Sequence, residues 1–180
     1  MSDFIIEDGV LIRYKGKKKI MTIPAGVDRI GKYAFGGCEN LESIAIPNGV
    51  TEIGEGAFWK CWYLREIVIP DSVERIGFRA FAECKRLKRI TVGDGVKIIE
   101  PWTFDNCENL QNITLGNSVR IISANAFYDC SSLREMVIPN GVVSIGKDAF
   151  SGCNNLIIHA PENSYAELYA IENDINFQTI

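Results

Sequence analysis

One stretch of the chain returns six times at a constant interval of 23 residues. Its cysteine comes first at Cys38 and then at Cys61, Cys84, Cys107, Cys130 and Cys153. A phenylalanine precedes each cysteine by three residues, from Phe35 to Phe150, and a leucine follows each by three, from Leu41 to Leu156. A repeat this short cannot enclose a hydrophobic core alone, so such repeats stack and cover one another. The period therefore predicts a solenoid.

The apolar pattern after each cysteine, Leu-x-x-Ile-x-Ile, predicts a β-rich leucine-rich repeat solenoid of the α/β type. We expect a right-handed superhelix, because crossovers between parallel strands are right-handed. Each unit begins with a Pro or Gly turn, continues through an Ala-Phe turn of helical or 3₁₀ character, and ends in a strand. The six predicted units are 24–46, 47–69, 70–92, 93–115, 116–138 and 139–161. The alternative is a globular domain with helices across Ala-Phe-x-x-Cys.

The two ends of the chain depart from the repeat and are expected to cap it, so that residues 1–180 form one domain. Within 1–23, the Asp8-Gly9 pair lies between two apolar runs and predicts a type I′ hairpin. Lys17 to Lys19 are expected to discourage another chain from adding to the open end of the sheet. Within 162–180, Ser164 and Glu167 form a capping box that predicts a helix of about two turns.

Charge and cysteine spacing exclude several functions. The net charge of −4 and the pI of about 5.1 disfavour nucleic-acid binding, and no apolar run is long enough to cross a membrane. The cysteines belong to the core motif, so we expect buried free thiols rather than disulfides. His159 is the only histidine, occupies an inward isoleucine slot in the 23-residue register, and has no partner for catalysis or zinc binding. We therefore expect no enzyme activity, no metal and no cofactor.

Outward positions are small or polar in most units but aromatic or basic in the second to fourth. The resulting aromatic–basic cluster comprises Trp59, Trp62, Tyr63, Lys85, Arg86 and Trp102. Tryptophan, tyrosine and arginine are the residues that most often anchor an interface, so the cluster is the candidate contact surface. The alternative is that the rings only pack on their own coils, with cation–π contacts to neighbouring lysine and arginine. The outward strand face, mixed and flat, is a second candidate surface.

In its first copy the repeat motif consists of Gly31, Ala34, Phe35, Cys38, Leu41, Ile44, Ile46, Pro47, Val50 and Ile53. This motif resembles the BspA-type leucine-rich repeats of bacteria and some protozoa. The resemblance covers 24–161 and extends to both caps. It implies a non-enzymatic protein- or glycan-binding scaffold, cell-surface or secreted, that serves adhesion. We expect the protein to be a monomer. The start of the sequence has no secretory signal, which favours instead a cytoplasmic interaction scaffold. An enzyme with a site not visible in the sequence is the remaining alternative.

Overall fold

A computed structural model describes residues 3–180, and the first two residues of the predicted N-terminal cap lie outside that range. The chain winds into a β-solenoid of about seven turns that ends in a short helix. The predicted leucine-rich solenoid is therefore confirmed. The six turns that carry the cysteines are called coils 1 to 6, from Cys38 to Cys153.

An antiparallel hairpin of β1 (Phe4–Glu7) and β2 (Val10–Tyr14) opens the fold. Asp8 and Gly9 have φ of 47° and 76°, the positive values that a type I′ turn requires at both central positions, which confirms the predicted hairpin. The next strand of the sheet pairs with β2 in parallel, so the hairpin also provides the first turn of the solenoid.

Two strands per coil form two faces of the rod. In chain order they are β3 (Ile20–Thr22), β4 (Arg29–Ile30), β5 (Ser43–Ala45), β6 (Glu52–Ile53), β7 (Glu66–Ile69), β8 (Arg75–Ile76), β9 (Arg89–Val92), β10 (Ile98–Ile99), β11 (Asn112–Thr114), β12 (Ile121–Ile122), β13 (Glu135–Val137), β14 (Ser144–Ile145) and β15 (Ile157–Ala160). Among β3 to β15, the odd-numbered strands form the long-strand face and the even-numbered strands form the short-strand face. The sequence predicted only the former. For the short strands it showed no more than a valine and an isoleucine three residues apart.

The third side of each coil is a chain of turns that hydrogen-bonds to the next coil. In coil 1 the N–H groups of Tyr33, Phe35 and Gly37 donate to carbonyls of coil 2 at 2.9, 2.8 and 2.8 Å. Tyr33 and Gly37 have φ of 52° and 73°. The predicted Ala-Phe turn is present, since the N–H groups of Ala34 and Cys38 each donate to the carbonyl three residues earlier. The left-handed residues interrupt it, so the segment is a series of turns and not a helix.

The core consists of parallel ladders of identical side chains. The rings from Phe35 to Phe150 stack with centroids 5.0 to 5.6 Å apart and are all buried. From coil 2 onward each cysteine S–H donates to the phenylalanine carbonyl of the preceding coil, at 3.2 to 3.3 Å. All six cysteines are free; five are buried and Cys38 is half-buried. The thiol ladder predicted from the spacing is therefore present.

The last coil shifts the register by one residue. Met136 pairs with Ile158, 22 residues later, and Val137 pairs with His159. Ile158 and Ala160 fill the inward slots and are fully buried. His159 is thus displaced from the isoleucine slot that the 23-residue register gives it, because a one-residue slip exchanges the two faces of a strand and here places apolar side chains in the inward slots.

The chain ends with α1 (Tyr165–Glu172) and β16 (Asn176–Thr179), which pairs in parallel with β15. The Ser164 side chain accepts a hydrogen bond from the Glu167 N–H at 3.2 Å, as the capping box predicted. Tyr169 of α1 packs against the last core ring, Phe150, with centroids 6.1 Å apart.

Candidate functional site

The structure divides the aromatic–basic cluster into two groups. Trp59 and Trp102 lie on the turn segment before the cysteine, whereas the other four follow it. Tyr63 is exposed, with the Arg86 guanidinium 4.2 Å from its ring centroid, as solenoid geometry predicted. Lys85 forms a 2.9 Å salt bridge with Glu108. The half-buried Trp62 makes no ring or cation contact within residues 3–180, and its buried indole N–H has no hydrogen-bond partner there.

Trp102 lies in a row of unusual backbone positions, and Trp59 is the neighbour of another such position, Lys60. In every coil the residues two before and two after the core phenylalanine have positive φ, between 52° and 83°. Before the phenylalanine they are Tyr33, Gly56, Arg79, Trp102, Asn125 and Asp148; after it they are Gly37, Lys60, Glu83, Asn106, Asp129 and Gly152. These left-handed positions let alternate N–H groups point along the rod toward the next coil, as in coil 1.

Five of these twelve positions hold residues that disfavour the left-handed conformation: Tyr33, Lys60, Arg79, Glu83 and Trp102. Glycine adopts positive φ freely, and asparagine and aspartate tolerate it, whereas other residues incur a cost of about 1–2 kcal/mol. Coils 5 and 6 hold only Asn, Asp and Gly at the same positions. The backbone therefore does not need the five larger side chains, and all of them lie in coils 1 to 4.

All five contact neighbouring aromatic rings. Tyr33 meets the Trp59 ring edge-on at 6.0 Å, and the Lys60 ammonium lies 4.3 Å from that ring. Glu83 accepts a hydrogen bond from the Trp59 indole at 3.3 Å and pairs with Lys60 at 3.7 Å. These contacts orient Trp59, which stays half-buried with part of its ring in solvent.

The second part of the row centres on Trp102. The Arg79 guanidinium lies 5.4 Å from the Trp102 ring and 5.3 Å from that of Phe78, and Tyr128 contacts Trp102 at 5.6 Å. Asp105 is buried nearby, and burial raises the pKa of its carboxyl group. We call Tyr33, Trp59, Phe78, Trp102 and Tyr128, with the cations Lys60 and Arg79, the aromatic edge.

Sequence reasoning found Trp59 and Trp102 but missed Tyr33, Phe78 and Tyr128. Tyr33 is in the same row as Trp102, five residues before its cysteine, and Tyr128 is in the row of Trp59. An alignment of the repeats on this segment would have shown both. The left-handed backbone, by contrast, could not be predicted from the residues of coils 1 to 4, because most of its positions there hold residues other than Gly, Asn and Asp.

The long-strand face carries a shallow hollow of about 800 Å³ across β5, β7 and β9. Its lining mixes apolar and charged side chains, including the exposed Val68, Glu66 and Arg89. It is thus a second surface on which a ligand could lie.

His159 is the only histidine of the sequence. Nε2 of His159 is buried without a hydrogen-bond partner in residues 3–180, and its nearest carboxylate, on Glu135, is 4.0 Å away. Within the same range, no group of three or more His, Cys, Asp or Glu side chains could hold a metal ion. None of the helices described there is long and apolar enough to cross a membrane.

The repeat pattern described for the BspA type leucine-rich repeat region matches residues 13–93 and 52–178, in six copies. Comparison with curated protein sequences gave no match. Three solved bacterial structures share the fold. A leucine-rich repeat protein of T. pallidum is 29% identical, with a TM-score of 0.61 over 83% of this chain and 62% of its own.

A leucine-rich cell surface protein of Faecalibacterium prausnitzii is 30% identical, with a TM-score of 0.63 over 87% of this chain and 52% of its own. A leucine-rich repeat protein of Eubacterium ventriosum is also 30% identical, with a TM-score of 0.63 over 81% and 46%. The chain thus spans between 46% and 62% of the length of these relatives.

Proposed function

The chain belongs to the BspA-type leucine-rich repeat family, and from that premise we propose a non-enzymatic scaffold that binds a protein or glycan at a cell surface through its aromatic edge. Family and fold are those of a repeat-based interaction scaffold. The finer statement, adhesion at a surface, is supported by the similarity to the F. prausnitzii protein, which is described as a cell surface protein.

One observation carries the choice of surface. Tyr33, Arg79 and Trp102 occupy left-handed positions where Asn125 and Asp148 serve the same backbone in coils 5 and 6. A residue type that disfavours its backbone conformation, at a position where the fold accepts a better-suited residue, is expected where function requires its side chain. Partly exposed rings held beside cations suit either the apolar face of a sugar or an aromatic anchor of a protein.

The remaining predicted residues, Trp62, Tyr63, Lys85 and Arg86, extend the proposed surface beyond the cysteine row. Tyr63 contributes an exposed ring with Arg86 across it. Trp62 contributes an indole N–H that has no partner in residues 3–180 and could bind an acceptor on a ligand after a small side-chain movement.

The test compares two matched triple variants of the full chain. The edge variant Tyr33→Asn, Trp59→Ser, Trp102→Asn inserts residues that the same rows contain in coils 5 and 6. The strand-face variant Ala45→Ser, Val68→Thr, Val137→Thr alters the other candidate surface. Each biotinylated protein is exposed to a solubilised extracellular-matrix extract, a glycan array and a cell lysate.

We expect the edge variant to lose at least about tenfold in binding to a matrix protein or glycan, because aromatic anchors carry most of an interface's free energy. The strand-face variant should bind as the wild type does. Unchanged binding by the edge variant would refute the site. Capture from the lysate alone would support the intracellular scaffold instead. Trp62→Ala, tested separately, shows whether the second group takes part.

A further inference from the structure

The two ends of the rod are complementary in charge. Residues 13–19 contain five cations and no anion, although Asp3, Glu7 and Asp8 lie in or next to the same hairpin, whereas residues 161–180 contain four anions and no cation. Lys17 and Lys18 form no salt bridge within residues 3–180, and neither do Glu172 and Asp174 at the other end. The rod therefore presents unpaired positive charge at its N-terminal end and unpaired negative charge at its C-terminal end.

Each end also exposes an unpaired strand edge. β3 is the first strand of the long-strand face and β16 is the last, and both pair with a neighbour on one side only. The outer edge of such a strand presents backbone N–H and C=O groups that can pair with another chain. Both edges run parallel to the intervening strands, so one could continue the other.

The C-terminal end also exposes large apolar side chains. α1 buries Ala166, Tyr169 and Ala170 on one side, yet Leu168 and Ile171, three residues apart, are 57% and 65% exposed. Adjacent large apolar side chains in solvent typically mark a contact surface. At the N-terminal end, Ile20 is 72% exposed beside the lysines.

We propose that the C-terminal end of one copy of this chain binds the N-terminal end of a second copy, with β3 of the second copy adding to β16 of the first. Ile20 and Asn176 begin corresponding strands, because Ile20 pairs with Ser43 and Asn176 with Ile157 in the same row. Continuing this register places Met21 of the second copy beside Phe177 and its Lys18 beside Asp174. In this one register an apolar side chain therefore lies beside an apolar one, and a lysine lies beside an aspartate.

The lysines select the direction of this contact. Lys17, Lys18 and Lys19 repel the N-terminal end of another copy, as the sequence suggested, but attract the acidic end. Head-to-tail contacts use two different surfaces and leave one of each free, so they extend into open chains unless the rotation closes a ring. The expected monomer then applies to dilute protein or high salt, because screening weakens exposed charge pairs.

A charge-swap experiment tests the proposal. The N-end variant carries Lys17→Glu, Lys18→Glu and Lys19→Glu, and the C-end variant carries Glu172→Lys and Asp174→Lys. All five side chains are exposed. Lys19→Glu also removes a salt bridge to Glu42, and Asp174→Lys places a lysine at a φ of 54°, which carries a backbone cost. Sedimentation equilibrium measures the average mass of each protein over a concentration series at low salt, with circular dichroism as the folding control.

We expect the mass of the wild type to rise with concentration and to fall when salt is added. Each variant alone should associate at least about tenfold less tightly, because like charges then face each other. An equimolar mixture of the two variants should recover the association, since every junction again joins opposite charges. A wild type that stays monomeric, variants that associate as it does, or a mixture that fails to recover would each overturn the proposal.

A second pair of variants tests the apolar part. Leu168→Gln with Ile171→Gln should weaken association at every salt concentration, whereas Tyr63→Gln, which alters an exposed ring on the side of the rod, should not. If the double variant of α1 and Tyr63→Gln associate equally tightly, the contact between copies does not involve α1. Neither outcome depends on ligand binding by the aromatic edge, so the two proposals fail independently.

Discussion

The inner rows and the aromatic edge run through the same coils but follow opposite rules. Inside, one residue type is repeated in all six coils, as in the phenylalanine row whose rings stack at 5.0 to 5.6 Å. On the edge, one row holds Tyr33, Gly56, Arg79, Trp102, Asn125 and Asp148 on the same left-handed backbone. Packing selects the side chain inside, whereas the edge requires only a value of φ. Edge side chains are therefore free to serve binding.

The largest effect expected inside the rod is a loss of stability at alkaline pH. Burial raises the pKa of Cys61, Cys84, Cys107 and Cys130 well above the ordinary thiol value. In the unfolded chain these thiols ionise above about pH 9, while in the folded state they stay protonated. The contribution of these thiols to stability is thus constant below that pH and falls above it, by about 1.4 kcal/mol per thiol per pH unit, or about 5 kcal/mol for the four by about pH 10.

Urea unfolding at about pH 8 and about pH 10, with reductant present, measures this loss. Cys84→Ala is the matched control, because it removes one buried thiol and should reduce the difference by about a quarter. Equal free energies of unfolding at both pH values would contradict a buried ladder.

Phe81→Ala should destabilise nearly as much. Phe81 is fully buried and stacks between Phe58 at 5.1 Å and Phe104 at 5.6 Å, so its removal leaves a cavity that rigid neighbours cannot fill. We expect a loss of about 3–5 kcal/mol in the free energy of unfolding, measured by urea titration. The single substitution Trp102→Asn on the aromatic edge, in comparison, should stay within about 1 kcal/mol of wild type. The lower cost of asparagine in the left-handed conformation offsets the lost ring contacts. Similar losses in both would remove the distinction between core and edge.

Cys84→Ser should cost about 1–3 kcal/mol, because the buried hydroxyl can replace the bond to the Phe58 carbonyl but leaves its own acceptor sites unsatisfied. Thiol labelling of the native protein provides an independent check. Cys38, half-buried with its pKa raised to about 11, should react first, and Cys84 only on unfolding. Rapid labelling of all six thiols would show that the ladder is open.

The smallest expected effect tests the edge itself. Asn125→Trp places the residue of coil 4 on the equivalent left-handed position of coil 5, and should destabilise by about 1 kcal/mol. Thermal unfolding of this variant and of Trp102→Asn, side by side, measures the backbone cost in both directions. A stabilising Asn125→Trp would mean that the aromatic residues are retained for packing, and would weaken the proposed binding role.

Several expectations were within reach of the sequence because they depend on short-range patterns. The Asp8-Gly9 hairpin and the Ser164–Glu167 cap each involve groups only a few residues apart, and both are present. Part of the candidate site was found in the same way, since Trp59 and Trp102 differ from the residues in other repeats. Their partners Tyr33 and Tyr128 come from adjacent coils, and no local pattern connects them.

The 23-residue period by itself determined the solenoid, the phenylalanine stack and the thiol ladder, because every coil must bury the same apolar positions against its neighbours. Only the tertiary structure decided the short-strand face, the left-handed turn positions and the slip that displaces His159 from the isoleucine row. These features depend on hydrogen bonds between one coil and the next and on which register buries the most apolar surface. Such requirements act between residues about 23 positions apart, where side-chain identity alone does not specify backbone geometry.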